Sequence, residues 1–89
     1  MRLKGQFILR EIAGEILIIP VGKSALDLNG MIVLNPVSKF IWELLENETE
    51  LDAIVAAVLD TFEVSEDLAR EDIISFLSIL RQNNLLEEG

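Results

Sequence analysis

Apolar positions along this chain follow two patterns. Before residue 36 they come as short runs bounded by turn residues, and from residue 36 onward they recur with helical period. Residues 6–12 (QFILREI) and 15–21 (EILIIPV) are apolar and β-leaning, and Ala13-Gly14 between them supplies turn character, so a hairpin is predicted. Pro20 near the end of the second run points to an edge position or to the strand's termination. Residues 22–30 read as a loop or irregular return, and Asn29-Gly30 suits the positive φ angles of a tight turn. The run Met31, Ile32, Val33, Leu34 is too short for a helix and reads as a third, buried strand.

Three helices follow. Asn35 offers a side-chain oxygen to a helix N-terminus, and Pro36 stands at the first helical position, where its missing N–H costs nothing. Val37, Phe40, Ile41, Leu44 and Leu45 then form one apolar face of a helix over about 36–46, with Trp42 expected in the core. Thr49 followed by Asp52 resembles a capping box with Asp in place of Glu. It introduces a second helix with Leu51, Ile54, Val55, Val58, Leu59 and Phe62 on its apolar face. Ser65 is placed to cap a third helix, with Glu66 and Asp67 in the first turn where the helix dipole favours them. Asn83-Asn84 ends that helix and leaves Leu85-Leu86 as a short apolar tail. Three strands and then three helices make a small α+β domain, a three-stranded antiparallel sheet followed by three helices. The second and third helices, joined by Glu63-Val64-Ser65, have the form of a helix-turn-helix with the sheet in the place of a wing.

Composition narrows what this domain can do. Eighty-nine residues allow one domain over 1–89, and with 51% apolar and 26% charged residues the sequence is that of a folded globular chain. No apolar run reaches the ~20 residues of a membrane span, and Arg10 and Glu11 interrupt the stretch a signal peptide would need. A cytoplasmic location is expected, with no membrane partner. The sequence contains no cysteine and no histidine, which excludes thiolate chemistry, zinc-finger ligation and Ser-His or Cys-His nucleophilic catalysis within the chain. A metal could be held only by carboxylates and carbonyls, and no calcium-binding loop is present; no glycine-rich phosphate loop is present either. Ser38 and Lys39 are adjacent and so point ~100° apart on a helix, a poor nucleophile–base pair. No enzyme activity, cofactor or metal is expected.

Net charge changes the meaning of the helix-turn-helix. Residues 1–39 carry five basic and three acidic groups, a balance of +2, whereas residues 40–89 carry two basic and thirteen acidic groups, a balance of −11. The third helix, which would be the recognition helix of a DNA reader, opens with Glu66, Asp67, Glu71 and Asp72 against Arg70 alone, a surface that repels phosphate. Nucleic acid is therefore not an expected partner. On the same helix Ala69, Ile73, Phe76, Leu77 and Leu80 cluster as the core face. Arg70, Ile74, Leu77 and Arg81 form a stripe at its flank. Two readings of the stripe stand: a solvated flank with Arg70 paired one turn back, or the cationic rim of a groove that meets an acidic peptide. The third strand likewise reads either as core or as an open sheet edge, to which a peptide could add as a further strand beside the third helix.

The residues that carry these features are the Leu-Asn-Gly turn, MIVLN, VSKFIWELL, LDAIVAAVLDTF and FLSILRQNNLL. Together they resemble the PqqD-like family, named for protein D of pyrroloquinoline quinone synthesis and also known as the RiPP recognition element. The resemblance covers nearly the whole chain, most strongly residues 26–86, and rests on apolar positions and turns. It implies a winged helix-turn-helix that does no chemistry. Such a domain captures the leader segment of a ribosomally made precursor peptide as an added strand. It then presents that peptide to a modifying enzyme, a radical SAM protein or a leader protease. Carried over by position, it implies Met31, Ile32, Val33 and Leu34 as the pairing strand and Arg70, Ile74, Leu77 and Arg81 as the facing wall. The family also includes versions fused to their enzymes, and a stand-alone version is expected here.

The sequence thus leads to a non-catalytic peptide-binding adaptor. Two alternatives are a winged-helix transcription-regulator-like protein and a self-associating domain that forms a homodimer through the open strand edge. The acidic helical half serves solubility or docks a basic enzyme surface, and the residues leave that choice open.

Overall fold

A computed structural model describes residues 1–21 and 32–88. The order of elements is β1 (Arg2–Leu3), β2 (Phe7–Ile12), β3 (Glu15–Pro20), β4 (Ile32–Leu34), α1 (Pro36–Leu44), α2 (Leu51–Thr61), α3 (Glu66–Gln82) and β5 (Leu86–Glu87). The expected loop over 22–30 and the Asn29-Gly30 turn lie outside the described residues, as does Met31.

The hairpin forms where expected. Ala13 and Gly14 have φ of 53° and 83°, so both central turn residues are left-handed, and Ile12 pairs with Glu15 across a two-residue loop. Positive φ at both positions matches the right-handed twist of the flanking strands. The three-stranded antiparallel sheet has the order β2-β3-β4, with Ile16, Leu17 and Ile18 opposite Leu34, Val33 and Ile32. Pro20 is the last residue of β3, the central strand, so it terminates the strand and does not mark an edge. Alternation puts Phe7, Ile16, Ile18, Ile32 and Leu34 on the face packed against the helices. Val33 points the other way.

Asn35 holds β4 and α1 in one rigid joint. Its Oδ1 accepts from the Ser38 N–H (2.8 Å), and its own N–H donates to Ser38 Oγ (2.9 Å), a reciprocal capping box followed by Pro36 at the first helical position. Asn35→Ala is expected to lower stability by about 1 kcal/mol, read as a fall in the urea midpoint at unchanged m-value. The helix ends at Leu44, two residues before the periodicity suggested. The second helix is a partial correction: it starts at Leu51 with Glu50 as N-cap and no side-chain cap bond. Thr49 lies one residue outside the capping position, and its backbone N–H donates to the Met1 carbonyl (2.9 Å). Ser65 does cap α3, its Oγ accepting from the Leu68 N–H (3.3 Å).

The core joins the sheet face to all three helices: Ile18 and Leu34 from the sheet, Ile41, Trp42 and Leu45 from the first helical segment, Ile54, Val55 and Val58 from α2, and Ala69, Ile73, Phe76, Leu77 and Leu80 from α3. Trp42 is 1% exposed and meets the Phe7 ring edge-to-face at 4.7 Å. The tail Leu85-Leu86 is a structural element in its own right. Leu86 and Glu87 pair antiparallel with Leu3 and Arg2, forming a two-stranded sheet separate from the first. The Leu3 N–H reaches the Leu45 carbonyl and the Lys4 N–H the Leu85 carbonyl, both at 2.9 Å, so this small sheet ties the end of α3 to the end of α1.

Candidate functional site

A short strand that runs straight into a capped helix leaves the strand's outer edge facing whatever lies beside it. Among the described residues β4 pairs with a strand on one side only, and α3 runs along the other. Between them lies a cavity of about 300 Å³. One wall comes from Val33, Asn35, Val37 and Ser38, with Ile41 at the base. The other wall is α3, through Asp72, Ser75, Phe76 and Ile79, which recur at i, i+3, i+4 and i+7 and so share one flank of the helix. Phe76 is buried and floors this side; Ile79 is 43% exposed and forms its rim.

The polar groups of the first wall are already engaged. Ser38 Oγ donates to Asn35 and accepts from its N–H, and Lys39 lies 3.8 Å from Glu43, so the adjacent serine and lysine serve the helix terminus and the helix surface. What the groove offers an occupant is apolar surface, a strand edge unpaired among the described residues, and the side chains of Asp72 and Ser75. Such a site suits an extended segment.

The sequence-predicted residues divide sharply. Met31 lies outside the described residues. Ile32 and Leu34 face the core, while Val33 is 56% exposed and lines the cavity. The four positions expected on the facing wall do not line it. Counting ~100° per residue, Arg70, Ile74, Leu77 and Arg81 lie on nearly the opposite side of α3 from Asp72, Ser75 and Ile79. Leu77 is core, and Ile74 is 52% exposed away from the groove. Arg70 donates to Asp52 of α2 (3.3 Å) and to Glu66 (3.4 Å). Those hydrogen bonds, to Glu66 first and then Asp52, raise its pKa above the usual value. Arg81 donates to both carboxylate oxygens of Glu88 (3.0 and 2.6 Å) and holds that carboxyl below its ordinary range. Both arginines tie down neighbouring segments. The solvated reading of that flank is thus the one its geometry resembles, with Asp52 as an additional partner that lies 18 positions back in the chain.

Sequence reasoning missed Asp72, Ser75 and Ile79. Their spacing was visible, but a flank with one isoleucine and two polar residues carries no more signal than the flank with Ile74.

No described helix is long and apolar enough to cross a membrane, and among the described residues no group of three acidic side chains is arranged to hold a metal ion. Among curated proteins none matches the chain significantly. Among solved structures the fold matches TbiB1, determined in complex with the TbiA(beta) leader peptide, with a TM-score of 0.75 over 100% of this chain and 98% of that one. At 24% identity the likeness establishes a shared α+β fold, with the sheet preceding the helices. The family described as coenzyme PQQ synthesis protein D matches residues 22–86, most of the chain, which therefore belongs to the PqqD family.

Proposed function

We propose that this chain is a non-catalytic adaptor that captures the leader segment of a ribosomally synthesised precursor peptide. The segment adds as a strand to the outer edge of β4 and rests alternate side chains in the groove against α3. The observation that carries this reading is the cavity between the edge of β4, which among the described residues is unpaired, and Asp72, Ser75, Phe76 and Ile79. Support also comes from the shared fold with TbiB1, whose structure holds a leader peptide. The modifying enzyme that receives the peptide is a radical SAM protein or a leader protease, and the adaptor acts in the cytoplasm. Within this reading Ile32, Val33 and Leu34 supply the pairing backbone, and the α3 wall is the flank that faces them.

The test is titration of ¹⁵N-labelled protein with synthetic leader segments of precursor peptides encoded beside its gene. Binding is expected to shift the amides of 32–34 and 72–79 while leaving Arg70 and Arg81 nearly unmoved. Saturable shifts confined to the other flank, or none with any segment, would refute the assignment.

A further inference from the structure

Asp72 differs from every other charged residue near the groove. It lines the cavity, and among the described residues it makes no ion pair or hydrogen bond. Among the described residues no cation stands on the wall opposite, which is lined by Val33 and Val37 and by Asn35 and Ser38, the last two bonded to each other. Lys39, on the same helix as that wall, lies beside Glu43. Among the described residues the carboxylate is thus the only ionisable side chain lining the cavity, beside the apolar surface of Phe76 and Ile79.

The arginines that an acidic peptide would seek are in the reverse situation. Arg70 is held by Asp52 and Glu66, and Arg81 by Glu88, both on the far side of α3. An acidic segment in the groove would meet Asp72 and a chain of net charge −9, and among the described residues no cation lines the groove to receive it. A basic segment is drawn by the whole field and finds a partner at the site.

We infer that the segment held between β4 and α3 carries a lysine or arginine facing Asp72, with apolar side chains covering Phe76 and Ile79. This rests on the peptide-capture reading above and replaces the acidic ligand expected from the arginine stripe with a basic one. Asp72 is a specificity-determining residue: it selects one position of the peptide.

The probe is a yeast-displayed library of random decapeptides, selected against the full chain and against Asp72→Asn and Asp72→Lys. The site is exposed, so both variants are expected to fold, and a one-dimensional amide spectrum checks this. Peptides selected by the wild type are expected to share Lys or Arg at one register position. That enrichment should vanish with Asp72→Asn and turn to Asp or Glu with Asp72→Lys. A representative basic peptide should bind Asp72→Asn about 3–10-fold more weakly at low salt, with the difference shrinking as salt rises. Selected peptides that shift the Val33 amide but show no basic position, or the same preference in all three proteins, would overturn the role of Asp72 and leave the groove reading intact. Failure to recover any peptide that shifts Val33 would overturn both.

Discussion

Ser75→Arg is expected to weaken peptide binding by tenfold or more while leaving the domain folded. Ser75 is an exposed residue of α3 that lines the groove midway between Asp72 and Ile79, so a long side chain there fills the space an added strand must enter. The new guanidinium also lies three residues from Asp72, close enough on a helix to neutralise it. Tenfold corresponds to about 1.4 kcal/mol of binding free energy. Stability should change by only about 0.5 kcal/mol, because the substitution is at the surface and outside any cap. The matched control is Ile74→Arg, also exposed but turned about 100° away from Ser75 and outside the groove lining, which should bind as the wild type does. Isothermal titration with the tightest leader segment decides the matter. Equal losses in both variants, or a loss with Ile74→Arg alone, would move the site to the other side of the helix.

Trp42→Ala is expected to remove most of the domain's stability. The side chain is essentially inaccessible and lies edge-on to Phe7, joining α1 to the first strand of the sheet. Truncating a buried tryptophan costs about 3–5 kcal/mol through lost transfer energy and the cavity left behind. A chain of this length holds roughly 4–13 kcal/mol in total. Because Trp42 is the sole tryptophan, urea unfolding should be followed by far-UV circular dichroism instead of intrinsic fluorescence. Loss of peptide binding should track the unfolded fraction, since the same helix carries Val37, Ser38 and Ile41 to the groove. A midpoint near that of the wild type would mean that the Phe7–Trp42 contact contributes little to holding helix and sheet together.

These two positions mark what the sequence could and could not reveal. The core side of every helix is legible in the sequence, because burial imposes a period: the spacing of Ala69, Ile73, Phe76, Leu77 and Leu80 groups them, and all are buried. The Asn35-Pro36 joint was legible because capping chemistry is local to a few residues. The groove's flank was not. Both exposed flanks of α3 carry one isoleucine among polar residues, and the flank with two arginines looked richer in binding chemistry. Those arginines are occupied by Asp52, on another helix, and by Glu88, beyond the helix end, and a helical wheel shows neither. The β1–β5 pair was illegible for a different reason, since strands of two residues have no period to read.

That small second sheet has a kinetic consequence. Its paired residues Arg2 and Glu87 stand 85 positions apart, so its ladder cannot close until both have been made. On the ribosome, at ~5–20 residues per second, β1 and the apolar run of β2 spend several seconds without their final packing. The helices are local and can form early, but the end of α3 is fixed only when Leu86 reaches Leu3. The end of α3 is thus held by a contact between the two extremes of the fold, the kind of pairing whose loop-closure cost is highest.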